Sequence, residues 1–457
     1  MSSEITSGHD SITAEGIDTI LHADWVIPVT EADDVLEQHS VLIRGGRIVD
    51  IVPQAEGRTL PAGEIIELPG RVLIPGLINA HGHAGMTLLR GIADDLPLHT
   101  WLQDHIWPLE GEWVSEEFVQ HGSQLAMAEM LRGGTTCFAD MYFFPEAVAR
   151  AATQAGIRVQ LASPVFDFPS AWGRDADDYI SKATRLHDEY RNSQLISMAF
   201  GPHAPYTVSD APLRRIIMLA EELDIPVHMH IHETAQEVDD AVRDNGQRPL
   251  QRLQSLGLPG PRLLAVHATQ LNDTEVTMLA ETGSHVVHCP QSNLKLASGF
   301  CEVQRLQDAG INVALGTDGA ASNNDLDLFA EMQTAALLAK AVSGDASALP
   351  AHQALRMATL NGARAMGLDD RIGSLEPGKQ ADLCAVNLDT LNTWPVYNPV
   401  SQLVYSSRSD QVTDVWIAGN RVLADGKHLS INISVLREHV MRWHERLATS
   451  DTTPRGT

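Results

Sequence analysis

Eight short apolar segments with strand character recur between residues 72 and 373, and amphipathic helical patterns such as 115–132, 213–223 and 303–309 lie between them. Strands that alternate with helices usually pair in parallel. Eight such units in about 300 residues predict a closed (β/α)8 barrel of the TIM type rather than an open, doubly wound sheet. No G-x-G-x-x-G or P-loop pattern follows a segment, which disfavours a nucleotide cofactor. The segments cover residues 77–84, 135–141, 157–165, 196–206, 225–232, 263–268, 285–290 and 312–317.

The two ends of the chain have a different texture. Short β-type runs separated by turn signals fill residues 19–67, and similar runs return at 381–386 and 412–418. Neither end has enough strands to bury one face of a sheet by itself. We therefore predict a small composite β-domain formed by residues 1–71 and 374–457, beside a catalytic barrel formed by residues 72–373. The tail 448–457 is predicted to be disordered.

Charge and composition exclude several classes of protein. Lys and Arg number 32 against 59 Asp and Glu, and the resulting net charge of -27 argues against a nucleic-acid partner. No apolar stretch approaches the roughly 20 residues of a membrane span, and residues 1–18 lack the pattern of a secretion signal. The four cysteines form no C-x-x-C pair, as expected for free thiols. We expect a cytoplasmic protein with no membrane partner, and a homo-oligomer is compatible with the sequence.

Histidines and acids stand at the C-terminal ends of five of the eight predicted strands, where barrel enzymes carry their chemistry. His81 and His83 flank Gly82, so both rings point to the same side of the first strand. Two convergent imidazoles are half of a metal site, although the pair alone is equally compatible with packed histidines. The other four strand ends carry His203, then His228, His230, His232 and Glu233, then His267, and finally Asp318.

The order of these motifs resembles that of the amidohydrolase superfamily over roughly the whole chain. The motifs are H-G-H at 81–83, H-x-x-E at 230–233, His267 and T-D-G at 317–319. The segments IWPLE at 106–110, GPHAPY at 201–206 and HCPQSNLK at 288–295 resemble the branch that deaminates methylthioadenosine and S-adenosylhomocysteine. The resemblance implies a metal-dependent barrel with a composite β-domain. It also implies hydrolysis of an adenine nucleoside, including adenosine, to the inosine derivative and ammonia.

One divalent ion per chain is the predicted cofactor. His81, His83, His230 and Asp318 would supply three neutral imidazoles and one carboxylate, a suitable set for Zn²⁺, with iron and manganese as alternatives. A water in the open position would have its pKa lowered towards about 7. Binuclear relatives use a bridging carboxylated lysine, and the fourth predicted strand ends without a lysine, which favours a single ion.

Glu233 is the predicted catalytic acid. His228 and His232 share a strand face with His230, but His230 alone stands three residues before Glu233. Deamination of a purine requires a proton on the ring nitrogen while water attacks the adjacent carbon, and Glu233 would deliver that proton and shuttle it afterwards. The alternative interpretation of Glu233 is a carboxylate that stabilises the start of a helix.

Four residues complete the predicted site. Asp318 would also accept a proton from the water, and His267 would orient the water or polarise the tetrahedral centre. By resemblance, Glu110 accepts hydrogen bonds from the ribose hydroxyls and His203 contacts the nucleoside. The alternatives are a turn residue for Asp318, packed histidines, and a solvated helix-entry acid for Glu110.

Phe143, Phe144 and Phe166 follow strands and are expected to pack in the core, with stacking on a base as the alternative. Arg174 is expected to be a solvated loop residue, with a substrate carboxylate as the alternative partner, and His288 and Cys289 are expected to be structural. One competing function is a deaminase or chlorohydrolase of the same scaffold that acts on guanine, a pterin, cytosine or a triazine. A free base has no ribose for Glu110 to bind. A different class of function is an inactive scaffold barrel, which would be expected to have lost metal ligands.

Overall fold

The computed structural model describes residues 16–30 and 32–449 and contains two eight-stranded sheets. Residues 1–15 lie outside the described residues, and the prediction about a secretion signal depends on them. Residues 450–457 of the predicted disordered tail also lie outside the described residues. The prediction is wrong at the start of that tail, because the last helix continues to Ala448.

The strands and helices follow the predicted alternation. The strands are β1 (Ile17–Val26), β2 (Leu36–Arg44), β3 (Arg47–Pro53), β4 (Ala62–Pro75), β5 (Leu77–Gly82), β6 (Thr135–Asp140), β7 (Arg158–Val165), β8 (Ile196–Pro202), β9 (Val227–Ile231), β10 (Leu263–His267), β11 (His285–His288), β12 (Val313–Leu315), β13 (Leu383–Asn387), β14 (Val412–Ile417), β15 (Asn420–Ala424) and β16 (Lys427–His428). The helices are α1 (Gln54–Gly57), α2 (Leu98–Thr100), α3 (Trp107–Trp113), α4 (Glu116–Arg132), α5 (Pro145–Ala155), α6 (Ala176–Tyr190), α7 (Asp210–Leu223), α8 (Ala235–Asn245), α9 (Pro249–Leu256), α10 (Asp273–Thr282), α11 (Pro290–Lys295), α12 (Val303–Asp308), α13 (Ala320–Asn323), α14 (Leu328–Ser343), α15 (Ala351–Met357), α16 (Leu360–Ala365), α17 (Pro399–Tyr405) and α18 (Ile433–Ala448). A π-helical segment, Trp101–Ile106, leads directly into α3.

The middle eight strands form the predicted parallel barrel. Strands β5 to β12 lie side by side in sequence order, all paired in parallel, with at least one helix between consecutive strands. The two ends of the sheet meet where the backbone N–H of Asp318 donates to the carbonyl of His81 at 3.1 Å. A Cβ on Gly316 would lie 2.8 Å from Cβ of His81, so closure requires glycine there. Closure brings the ends of β5 and β12, and their polar side chains, together.

The other sheet joins the two ends of the chain. Its strand order is β16-β15-β14-β13-β4-β1-β2-β3, with β1 and β4 parallel and β4 and β13 antiparallel. A small core that includes Leu21, Leu73 and Trp416 lies on this sheet. The predicted composite β-domain is therefore confirmed, while the domain boundaries after residues 71 and 373 stay a prediction.

A buried ion pair connects the two sheets. Nε of Arg158, on β7, donates to Oδ2 of Asp382, just before β13, at 2.9 Å.

Within residues 16–30 and 32–449, no helix has both the length and the apolar character needed to cross a bilayer.

Candidate active site

Three imidazoles and one carboxylate converge at the C-terminal end of the barrel. His81 and His83 come from the end of β5, and His230 comes from β9. The ligand atoms of these three residues all lie within 4.8 Å of one another. Oδ1 of Asp318 lies 3.3 Å from Nε2 of His81 and 3.2 Å from Nε2 of His83. Neutral imidazole nitrogens and a carboxylate oxygen are ligands that Zn²⁺ and related divalent ions accept, so the donor set fits the predicted cofactor.

Hydrogen bonds fix which nitrogen two of these rings present. Nδ1 of His83 lies 2.6 Å from the carbonyl oxygen of Met141, and Nδ1 of His230 lies 2.7 Å from the carbonyl oxygen of His203. A carbonyl can only accept, so each Nδ1 carries a proton, and Nε2 is the nitrogen that each ring in its neutral form can offer to a metal ion. Both Nε2 atoms face the donor cluster, 3.2 Å from Oδ1 of Asp318 for His83 and 3.2 Å from Nε2 of His81 for His230.

Asp318 is held by two serines that sequence reasoning missed. The hydroxyls of Ser292 and Ser322 each donate to Oδ2 at 2.7 Å, which leaves Oδ1 towards the histidines. Burial opposes ionisation, but the neighbouring imidazoles of His81 and His83 outweigh it and hold the pKa of Asp318 well below its usual range. Its backbone has a φ of 62°, a left-handed conformation that sits at functional sites when the surroundings enforce it. Asp318 is thus an ionised, oriented carboxylate.

Glu233, three residues after His230, lines the same cavity. The left-handed backbone of His232, with a φ of 55°, ends β9, and the amide of Glu233 then donates to Oε2 of Glu237 at 2.7 Å. In the side chain of Glu233, Oε2 lies 3.8 Å from Nε2 of His267. The other oxygen, Oε1, lies 3.5 Å from Oγ of Ser298. Burial raises the pKa of this carboxyl, which favours the protonated form that a general acid needs.

His267 faces Glu233 through a defined nitrogen. Its Nδ1 lies 2.8 Å from Oδ1 of Asn293, so the proton resides on Nδ1 and Nε2 is the acceptor. The ring stacks on that of His230, with centroids 5.5 Å apart and an interplanar angle of 19°. Asn293 lies in the 288–295 segment, so its part in the site could have been inferred only from the family resemblance.

A cavity of about 310 Å³ opens above these groups, and every predicted site residue except the fully buried His81 lines it. Glu110, on α3, accepts a hydrogen bond from the hydroxyl of Tyr142 at 2.7 Å. Burial raises the pKa of Glu110 to about 7 although this hydrogen bond opposes the shift. Glu110 is therefore part of the cavity rather than a solvated helix-entry acid.

His203 forms part of the cavity wall beside an aromatic ring. Its Nδ1 lies 3.0 Å from Oγ1 of Thr207, and its ring stacks on Phe166 with centroids 4.9 Å apart. Burial lowers the pKa of His203 to about 3, so the ring is neutral. Both His203 and Phe166 thus present neutral, flat surfaces to a ligand.

The competing histidines of the fifth strand are both buried but do not line the cavity. Nε2 of His228 lies 2.8 Å from Nδ1 of His81, behind the converging donors. His232 turns away instead, and its Nε2 accepts a hydrogen bond from the amide of Leu250 at 3.1 Å. The structure therefore brings His230 to the donor cluster, as the spacing predicts.

Of the remaining expectations from the sequence, some are met by the structure and others are only partly met. Phe143 and Phe166 line the cavity, so the expectation of core packing was incomplete for them. Arg174 is 84% exposed and pairs with Asp178, as expected for a solvated loop arginine. His288 and Cys289 are buried and do not line the cavity. Sequence reasoning missed an apolar wall of the cavity, which is formed by residues that precede Glu110 in the chain. The sequence signal for this wall is the aromatic-rich segment 101–107. The residues of the segment that line the cavity are Trp101, Leu102, Ile106 and Trp107.

Comparison with known proteins identifies the family. The sequence profile of the amidohydrolase family matches residues 72–422. This chain belongs to the amidohydrolase family. A 5-methylthioadenosine/S-adenosylhomocysteine deaminase of Teredinibacter turnerae is 52% identical to this amidohydrolase over 94% of this chain and 98% of its own length. A protein of the same name from Saccharophagus degradans is 52% identical over 94% of this chain and 97% of its own length.

A solved structure matches equally well. The crystal structure of an adenosine deaminase from Xanthomonas campestris with bound zinc superposes on this amidohydrolase with a TM-score of 0.94. The two are 52% identical, and the match covers 95% of this chain and 100% of that one. These comparisons confirm the predicted family and the predicted barrel. They also confirm the predicted enzyme class, which is a hydrolase that cleaves a C–N bond of a cyclic amidine.

Proposed function

We propose that this amidohydrolase removes the 6-amino group of adenine nucleosides, namely methylthioadenosine, S-adenosylhomocysteine and adenosine, and releases the inosine derivative and ammonia. The observation that carries the proposal is that four metal-type donors converge at the base of one cavity, which two buried carboxyl groups, Glu233 and Glu110, also line. The names of the relatives at 52% identity support the same activity.

The proposed cofactor is one divalent ion held by His81, His83, His230 and Asp318. Such an ion, when bound, lowers the pKa of a water molecule towards about 7 and so makes a nucleophile available at neutral pH. Zn²⁺ suits this donor set, and iron or manganese are the alternatives. Among the described residues that line the cavity there is no lysine to bridge a second ion, which favours a single one.

Asp318 and Glu233 divide the proton transfers. Ionised Asp318 accepts a proton from the attacking water through Oδ1, and Glu233 donates its own proton to N1 of the purine. His267 orients the water, because its Nε2 is an acceptor. The C6–O bond forms and the C6–N bond breaks. Of the two water protons, the one taken by Asp318 leaves with the amino group as ammonia, and the other restores the acid form of Glu233.

The nucleoside is bound by the rest of the cavity. Glu110 accepts hydrogen bonds from the ribose hydroxyls, and Tyr142 holds its carboxyl group in place. His203 contacts the nucleoside beside Phe166, whose ring offers a face to the base. Among the described residues that line this cavity there is no lysine or arginine, so it suits a nucleoside without a phosphate group better than a nucleotide.

The proposed partner is therefore a small-molecule nucleoside, without nucleic acid or membrane. The net charge of -27 supports the exclusion of nucleic acid. The proposed location is the cytoplasm, where such a substrate would be met, and a homo-oligomer is compatible with the fold.

The proposal is tested by ammonia release from a panel of nucleosides and free bases with metal-replete protein. We expect kcat/KM for methylthioadenosine or adenosine to exceed that for adenine, guanine and cytosine. Glu110→Gln should reduce this preference about 10- to 100-fold, because a hydrogen bond to a charged acceptor is lost. Glu117→Gln, at an exposed position, is the matched control. Equal efficiency on nucleoside and base, or an unchanged preference in Glu110→Gln, would favour the free-base deaminase instead.

A further inference from the structure

One of the three imidazoles in the donor cluster is held differently from the other two. His83 and His230 each donate Nδ1–H to a backbone carbonyl oxygen. Nδ1 of His81 instead lies 2.8 Å from Nε2 of another imidazole, that of His228. Ligand histidines commonly have a carboxylate, a carbonyl or a water behind them. An imidazole in that position is therefore a distinctive feature of this centre.

The nature of the partner matters because an imidazole can accept or donate. If Nδ1–H of His81 donates to His228, Nε2 of His81 keeps the lone pair that a metal ion needs. If His228 donates instead, His81 carries its proton on Nε2, 3.3 Å from Oδ1 of Asp318, and cannot act as a ligand. The backbone fixes the tautomers of the other two ligands, whereas that of His81 depends on a second side chain.

Within the part of the chain that the structure describes, His228 is the hydrogen-bond partner of Nδ1 of His81. Both His81 and His228 have a relative exposure of 0%, so bulk water cannot replace the second ring. The two ring centroids are 5.0 Å apart. His228 stands two residues before His230 on β9, so the strand that provides one ligand also provides the support for another. Nδ1 of His228 has no hydrogen-bond partner within residues 16–30 and 32–449, so this ring interacts with its surroundings through Nε2.

We propose that His228 is a positioning residue of the metal centre, whose Nε2 accepts Nδ1–H of His81 and thereby directs the lone pair of Nε2 of His81 to the ion. The inference rests on the proposed metal centre and adds to it a residue outside the ligand set. His228 contacts neither the ion nor the nucleoside in this arrangement. Its loss should therefore weaken metal binding without removing a donor.

The test is the affinity for Zn²⁺ measured by competition with a chelator, in the absence of substrate. His228→Leu removes the acceptor and should weaken binding about 10- to 100-fold, the usual effect of removing a partner of a ligand histidine. His228→Gln restores an acceptor oxygen and should bind within about threefold of the native protein. His232→Gln, directly after the same strand and outside the donor cluster, is the matched control and should leave the affinity unchanged.

A second measurement separates positioning from general packing. In Zn²⁺-loaded protein with 15N-labelled histidine, the His81 ring should carry its proton on Nδ1 and show a hydrogen bond at that atom. This signature should persist in His228→Gln and weaken in His228→Leu. Native affinity in His228→Leu, or a proton-free Nδ1 of His81 in the native protein, would overturn the inference. If the native protein bound no Zn²⁺, the proposed metal centre itself would be wrong.

Discussion

The cavity has two halves that are built from different parts of the fold. The metal half lies on strand ends, where each ligand group has a fixed hydrogen-bond partner at 2.6 to 2.8 Å. The substrate half comes from helix α3, the π-helical segment before it and the loops after β6, β7 and β8. Its polar groups are fewer, and its wall is largely aromatic or aliphatic. From this difference we expect the metal half to determine whether the reaction occurs, and the substrate half to determine which amine is removed.

The largest expected effect comes from the metal half. His83→Gln removes one imidazole donor, and turnover should fall about 10³-fold or more, because the bound ion supplies several kcal/mol of stabilisation to the reaction. The metal content of the purified protein, measured by elemental analysis, should fall with it. A His83→Gln protein with native turnover would show that the metal half is not the reactive half.

Glu233→Gln should separate proton transfer from metal binding. We expect kcat to fall about 10²- to 10⁴-fold, the usual contribution of a positioned acid, while metal content stays at the native level. Glu222→Gln, an exposed change on α7, should leave both quantities unaltered. Near-native kcat in Glu233→Gln would remove this residue from its proposed role.

The substrate half should show a pH dependence of its own. The pKa of Glu110 is raised to about 7, so the carboxylate predominates above that pH and the neutral acid below it. Because the carboxylate is the better acceptor for ribose hydroxyls, KM for a nucleoside should rise by up to about tenfold per pH unit below 7. A free base should lack this dependence. Initial rates between pH 5.5 and 8.5 provide the measurement, and identical profiles for nucleoside and base would contradict it.

Tyr142→Phe should have the smallest effect of the four. The variant loses one hydrogen bond to Glu110, and KM should rise about 2- to 10-fold with little change in kcat. Since that hydrogen bond lowers the pKa of Glu110, its loss should also move the KM profile to higher pH. A fall in kcat with unchanged KM would place Tyr142 in the reaction instead of in binding.

The two halves also differ in how far the sequence predicts them. His81, His83 and Asp318 follow apolar strands, and parallel strands in a barrel must bring their C-terminal ends together, so the pattern alone places them near one another. Ser292 and Ser322 hold Asp318 from α11 and α13, and no periodicity marks a serine as the partner of a particular carboxylate. The wall formed by Trp101 and its neighbours depends on the path of a loop and a π-helical segment, which periodicity does not specify.

The central claim is that one divalent ion at the end of this barrel makes the chain an adenine-nucleoside deaminase. Its most direct test is to titrate metal-free protein with Zn²⁺ while following ammonia release from methylthioadenosine. Activity should rise in proportion to added Zn²⁺ and level off at about one ion per chain, as a site with one set of four donors requires. Deamination by the metal-free protein, a plateau at about two ions, or no ammonia at any metal concentration would contradict the account.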